Sequence, residues 1–302
     1  MIGLDTIDQV TGCRLGTHDV PCPVCGPLKR SARNQRKATL RVYRVEPNFA
    51  GYHCARCGEK GAALDRNGTP PDPIKLAKAR AEAAERDRTL KAERLSKARW
   101  LWSIRKPIIG SIAETYLRSA RGYGGALPAT LGFLAGRGQY PPAMIAAFGL
   151  ATECMATECE PGTLRIAGAA VVGVHLTRLL PDGSGKAVFD DPDEEAKIMV
   201  GNSAGWPIVL ALPNDLLGLC ITEGIEDAVS AHEATGLGAW AAGSAARMPA
   251  LADIISSHID CATVLAHDDK DGRRHATELA GRLRARGISP RLITPRARGM
   301  AA

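Results

Sequence analysis

Apolar positions along the chain fall into two regimes. Between Leu219 and Pro295, four short apolar runs (LCIT, GAWAA, ATVLAH and SPRLIT) alternate with segments of helical period. Between the third and fourth, Ala276, Leu279, Ala280 and Leu283 form an i, i+3, i+4, i+7 stripe, one face of a helix. This alternation predicts parallel βαβ units in an open, doubly wound sheet. Upstream, the breaker-rich NGTPPDP (67–73) reads as a linker. The stretch from Ile74 to about Trp102, rich in Ala, Lys, Arg and Glu, predicts a solvated connecting helix. IAETYLRSARGY predicts a helix ended by Gly122, followed by LPATLGFLAG and PPAMIAAFGL. AGAAVVGVHLTRLLPDGSGKAVFD predicts a β-hairpin turning at Asp182–Gly183. Near the N-terminus, ATLRVYRV alternates as a strand with Arg41 and Tyr43 on one face.

Acidic residues fall where such a sheet places its chemistry. Glu223 follows the first apolar run, and Asp268, Asp269 and Asp271 follow the third. The carboxyl ends of parallel strands share one edge, so these distant acids converge on one crevice. Gathered carboxylates repel one another, and a hard divalent cation such as Mg²⁺ relieves that repulsion while keeping waters and substrate phosphates. Taken singly, each acid reads as a helix N-cap. Taken together, with Gly224 and Gly272 allowing close backbone approach, they read as a site.

Cysteine spacing gives a second signal. VPCPVCG and GYHCARCGEKG each hold a CxxC followed by glycine, so Cys22, Cys25, Cys54 and Cys57 suit two zinc knuckles. Four thiolates close a tetrahedral site, which makes the zinc structural, and in so small a module the metal supplies folding free energy on the order of 10 kcal/mol. Cys13, His18 and His53 read as bystanders. The nine cysteines, an odd number, argue for metal ligation and free thiols rather than a disulfide framework. Between the knuckles, Lys29, Arg30, Arg33, Arg36 and Lys37 meet no acid until Glu46. Cations that track phosphates, with Tyr43 and Phe49 to stack on bases, suit single-stranded nucleic acid.

The net charge of +7 favours an anionic partner. No apolar run approaches a membrane span and the N-terminus has no basic region before an apolar core, so the expectation is a cytoplasmic protein without a membrane partner. Two literal motifs are decoys. GSGKA (183–187) lacks the upstream glycine and the Ser/Thr of a phosphate loop, and GNSAG (201–205) is followed by the strand-like WPIVLAL rather than by a helix.

ITEGIED followed by VLAHDDKDGRRHA resembles the Toprim domain, the metal-dependent module shared by bacterial-type primases, topoisomerases and some nucleases. The EGxxD of the primase form is matched by Glu223, Gly224 and Asp227. In the DxD motif, counting back from Gly272 puts Asp269 on the second acid and His267 on the first, with Asp268 between them; His267 or Asp268 then completes the metal site. The N-terminal part resembles the zinc ribbon of bacterial-type primases. The middle resembles the segment before Toprim in phage and plasmid primases, with Tyr116, Leu117, His175, Thr177, Lys186 and Lys197 at comparable places.

The resemblance implies an α/β chain: a zinc ribbon (1–66), a linker and charged helix (67–103), a mixed α+β primase-type segment (104–215) and a Toprim doubly wound sheet (216–302). It implies a DNA primase that copies single-stranded DNA into short RNA from NTPs, with structural zinc, catalytic Mg²⁺ or Mn²⁺, and a separate replicative helicase as a possible partner. Glu223 is the expected general base or positions the 3′-hydroxyl, and Asp227 supports the site. Asp269, with Asp268 or His267 and with Asp271 beside them, is expected to hold the divalent ions. Arg178, Lys186, Lys197, Lys37, Arg41 and Tyr43 are expected to hold nucleotide and template, and the small-residue loop Ala241–Ala246 to offer N–H groups to a phosphate. Two other classes share these features: a non-catalytic recombination mediator with a four-cysteine zinc motif and Toprim, and a metal-dependent nuclease.

Overall fold

The computed structural model of the 302-residue chain describes residues 2–26, 35–65, 72–154, 163–191, 194–256 and 258–295. Lys29, Arg30 and Arg33 of the basic segment lie outside the described residues. The chain divides into two compact units, Met1–Leu90 with Asp191–Asp193, and Lys91–Asp190 with Glu194–Ala302. Among the described residues no helix is long and apolar enough to cross a membrane.

In the first unit, α1 (Leu4–Thr11) precedes β1 (Gly16–Pro21), β2 (Ala38–Glu46), β3 (Phe49–Cys54) and β4 (Lys60–Leu64). The strands pair antiparallel in sequence order. Alternation along β2 turns Leu40 and Val42 inward onto Ile2, Ile7, Ala50 and Tyr52, and leaves Arg41 and Tyr43 on the opposite face. The helix α2 (Pro73–Ser103) crosses the boundary between the units. Its first half is more than a solvated rod: Leu76, Ala79, Ala83 and Leu90 line a groove of about 950 Å³ together with Arg41, Tyr43 and Phe49.

The second unit holds two main sheets. In its half of α2, Ala98 and Trp102 are buried. Then α3 (Ile112–Thr115), capped by Ser111, runs into a π-helical turn (Tyr116–Ala120), and Gly122 (φ 69°) follows as expected. The first sheet has the order β10-β9-β6-β5, all antiparallel, built from β5 (Leu131–Leu134), β6 (Ala143–Phe148), β9 (Gly173–Arg178) and β10 (Lys197–Gly201). Between β6 and β9, β7 (Thr152–Glu153) pairs with β8 (Leu164–Arg165). Every residue of β6 is buried, with Met144, Ala146 and Phe148 in one core cluster and Ala143, Ile145 and Ala147 in another, which explains its unbroken apolar run.

The hairpin expected at Asp182–Gly183 is only a short loop, closed by Leu180 N–H to the Gly185 carbonyl and Ala187 N–H to the Arg178 carbonyl. Besides β6, the strand that pairs with β9 is β10. Its Ile198 and Val200 pack on the core, whereas Val188 in the expected partner segment is 83% exposed. Cys154 is disulfide-bonded, against the expectation of free thiols outside the zinc set; Cys13, Cys220 and Cys261 are free.

The second sheet has the order β11-β13-β12-β14-β15. β12 (Gly218–Thr222), β13 (Gly238–Ala241), β14 (Cys261–Leu265) and β15 (Ser289–Ile293) run parallel, as the four apolar runs predict, and β11 (Ile208–Ala211) adds an antiparallel edge. The connections are α4 (Ile225–Thr235), a 3₁₀ segment (Ala245–Asp253) and α5 (Lys270–Ala285). The Ala276, Leu279, Ala280 and Leu283 stripe of α5 is buried. Each such leucine contributes about 1.5–3 kcal/mol by leaving water.

His175 on β9 is 2% exposed, packed edge-on to Phe148. Burial, and then the charge of Lys197, hold its pKa down to about 4, with Lys186 and Arg247 adding to the effect and Glu226 opposing it. Below the ordinary histidine value of 6.5 the unfolded chain takes a proton that the fold refuses. This site therefore removes stability as pH falls from 6.5 to about 4, by about 1.4 kcal/mol per pH unit, and has no effect above that window. Thermal melts of wild type and His175→Phe between pH 7 and 4.5 should show a steeper loss in wild type; parallel slopes would refute this assignment.

Candidate active site and metal centre

The two knuckles close on one point. Cys22 Sγ lies 3.9 Å from Cys57 Sγ and Cys25 Sγ lies 3.9 Å from Cys54 Sγ, and all four sulfurs fall within 4.8 Å of one another. A tetrahedral ion with Zn–S bonds of about 2.3 Å requires sulfurs about 3.8 Å apart, so the donor set fits zinc. The turns that aim the thiols are local: Gly26 N–H reaches the Cys22 carbonyl, and Gly58 N–H, at a φ of 76°, reaches the Cys54 carbonyl. A side chain at Gly26 would place its Cβ 2.6 Å from the Cys22 oxygen. Burial, and then the neighbouring thiols, push Cys25 up to about 12. At Cys54 burial is outweighed by backbone N–H groups of Cys57 and Arg56, and the thiol falls to about 6.

Arg41 and Tyr43 stand on the outer face of the ribbon. Arg41 donates to both oxygens of Asp19 at 2.8 and 2.9 Å and to Asp87 of α2 at 2.9 Å. Lys37 lies half-buried just ahead of β2.

At the carboxyl edge of the parallel sheet, Glu223 leaves β12, Asp227 sits in the first turn of α4, and His267 and Asp268 lead from β14 to Asp269. His267 bridges the two motifs, with Nδ1 3.3 Å from Glu223 Oε2 and Nε2 2.9 Å from Asp227 Oδ2. The hydrogen bond to Asp227, and then the charges of Glu223, Asp227 and Asp269, raise the His267 pKa against its partial burial. Asp269 caps α5, accepting the Gly272 N–H at 2.7 Å. Gly272 is needed because a Cβ there would lie 2.7 Å from the His267 carbonyl oxygen. Asp268 pairs with Arg273, and Asp271 pairs with Arg274 at 3.2 Å. Among the described residues, the cysteine set is the one group of three or more such donors within 4.8 Å of one another; the edge carboxylates are spread more widely. The Ala241–Ala246 loop is strapped to this edge, with the Ala242 and Gly243 N–H groups bonded to the Thr222 and Glu223 carbonyls at 2.9 Å each.

Beside the edge lies a residue that sequence reasoning passed over. The Glu226 carboxylate meets Lys186 Nζ at 3.0 Å, Lys197 Nζ at 3.5 Å and Arg121 at 3.8 Å, and accepts from the Tyr116 hydroxyl at 2.8 Å. Lys186 and Lys197 thus come together as a cluster. Arg178 does not join them: it pairs with Glu194 at 2.8 Å, donates to the Glu195 carbonyl and stacks 3.9 Å over Phe189. In the sequence Glu226 is simply an acid in the first turn of a helix, favourable there for any fold.

Zinc analysis of the purified chain should give one zinc per chain, and Cys54→Ser should lose it and expose residues 1–65 to trypsin as a chelator does in wild type. Full zinc retention by the variant would overturn the assignment of these four ligands.

Two solved structures resemble the chain distantly. One is the zinc-binding and RNA polymerase domains of the Aquifex aeolicus primase, 13% identical with a TM-score of 0.39, covering 97% of this chain and 77% of that one. The other is the primase fragment of the bacteriophage T7 primase-helicase protein, 11% identical with a TM-score of 0.33, covering 92% of this chain and 89% of that one. Both scores are below 0.5, and neither likeness carries a functional argument. No curated protein matches the sequence. A family model described as the Toprim domain matches residues 218–300, a range that takes in β12 to β15 and the whole carboxylate edge, and this part of the chain is a Toprim domain.

Proposed function

We propose that the chain is a DNA primase, joining NTPs into short RNA on a single-stranded DNA template in the cytoplasm, alongside a separate replicative helicase. The observation that carries this reading is the adjacency of a carboxylate edge and a cation cluster on one helix turn: Asp227 faces His267, and its neighbour Glu226 holds Lys186, Lys197 and Arg121. Phosphoryl transfer from a nucleoside triphosphate calls for both, carboxylates to hold divalent ions and cations to balance the polyphosphate. Asp269, with Asp268 or His267, would hold Mg²⁺ or Mn²⁺, and Asp227 supports the site from the first turn of α4. That the edge suits a cation is supported by His267, whose ring nitrogens already lie between two carboxylates. When bound, such ions supply charge neutralisation at the phosphates and a lowered hydroxyl pKa.

Glu223 accepts the proton of the primer 3′-hydroxyl as its oxygen forms a bond to the α-phosphorus and pyrophosphate departs. Lys186 and Lys197 take up the charge of the triphosphate. The zinc ribbon presents its basic and aromatic face, with Lys37, Arg41 and Tyr43, to the template. One observation favours a second reading, the non-catalytic recombination mediator: His267 stands where the metal motif has an acid, and the edge donors are not gathered within 4.8 Å.

Purified protein incubated with single-stranded DNA, labelled NTPs and Mg²⁺ or Mn²⁺ should make short RNA products. Glu223→Gln and Asp269→Asn should lower the yield by about 10²-fold or more, the usual scale for a lost general base or metal ligand. Bound, uncut DNA without synthesis would favour the mediator, and a shortened template would favour a nuclease.

A further inference from the structure

Two consecutive carboxylates open α4, and their surroundings differ. Asp227 is 46% exposed and meets His267, while Glu226 is 13% exposed and is surrounded by donors from three other places in the chain. Tyr116 comes from the π-helical turn, Arg121 from the residue after it, Lys186 from the loop beyond β9 and Lys197 from β10. The donors are also linked to one another, since Arg121 Nε donates to the Tyr116 hydroxyl at 2.9 Å. Burial works against ionisation of Glu226, but Lys197 and Lys186 outweigh it and bring the carboxyl down to about 2.

The charge count is unbalanced. Three cations meet one carboxylate, and although the charge of Asp227 also reaches Arg121, positive charge is in excess. The cations remain partly open to solvent, with Lys186 28%, Lys197 38% and Arg121 42% exposed, whereas the carboxylate does not. Long basic side chains lose rotamer entropy when fixed, and an internal carboxylate that fixes them beforehand removes much of that loss from substrate binding.

We infer that Glu226 is a positioning residue that holds Lys186, Lys197 and, through Tyr116, Arg121 as one preformed cluster whose uncompensated positive charge receives the polyphosphate of the incoming nucleotide. This rests on the primase reading. Glu226 itself stays beneath the cations and does not touch the substrate.

The test separates positioning from mere support. Glu226→Gln keeps the shape and removes the charge, so the cations repel and spread. The Michaelis constant for NTP should rise about ten-fold, with kcat changed less than about three-fold. A structural role would instead lower the active fraction, reducing kcat at constant KM. Tyr116→Phe removes only the hydroxyl that bonds both Arg121 and the carboxylate, leaving their direct 3.8 Å pair, and should raise KM about three-fold; it decides the matter if Glu226→Gln does not fold. The double variant should match Glu226→Gln alone, because the hydroxyl acts through the carboxylate. Unchanged KM in the folded variants of an active wild type overturns the inference. If wild type makes no primers, the primase reading fails, and direct binding of a fluorescent ATP analogue still decides: equal affinity in wild type and Glu226→Gln overturns the inference, and a ten-fold loss upholds it.

Discussion

Like charges forced together must be neutralised, and the fold forces them together at two points. In the C-terminal sheet β12 and β14 run parallel and end at one edge, so Glu223, Asp227 and Asp269 lie along that edge whatever their separation in sequence, more widely spread than the cysteines. In the ribbon, two knuckle turns bring four thiols within 4.8 Å, where burial and the neighbouring thiols lift Cys25 to about 12. Neither arrangement is favourable as a bare set of anions. The thiols fit an ion of tetrahedral geometry. At the edge, an imidazole has one nitrogen towards Glu223 and the other towards Asp227, and these carboxylates draw it towards its protonated form.

Features with a local cause were legible in the sequence. The four apolar runs are the four parallel strands, and the α5 stripe is the face that packs, because strand and helix periods are properties of neighbouring residues. The CxxC-Gly spacing reports a turn that forms within five residues, so the cysteine cluster could be read directly. Pairing between distant segments was not legible. WPIVLAL reads as a strand, but its antiparallel place at the edge beside β13 depends on the sheet already being there. The same holds for β9, which pairs with a segment nineteen positions beyond its own end rather than with the nearer run, because Ile198 and Val200 find a core and Val188 does not. Glu226 was illegible for a stronger reason. Its partners at 116, 121, 186 and 197 come from separate elements, and no local pattern marks a residue whose role is assigned by contacts of that range.

The adjacency of Glu226 and Asp227 has a geometric consequence. Successive residues on a helix point about 100° apart, so the contacts of the two carboxylates differ: Glu226 meets the cation cluster and Asp227 meets His267, although the charge of Asp227 also reaches Arg121. Both nevertheless fold back over the helix N-terminus, where the aligned peptide dipoles favour negative charge. Gly224 sits beneath them: a Cβ there would lie 3.0 Å from Asp227 Oδ2 and 3.4 Å from Glu226 Oε2. A larger residue at 224 would press on the carboxylate facing His267 and on the carboxylate holding the lysines at once. The glycine in EGIED therefore leaves room for both carboxylates, and its own φ of −104° is one that any residue can adopt.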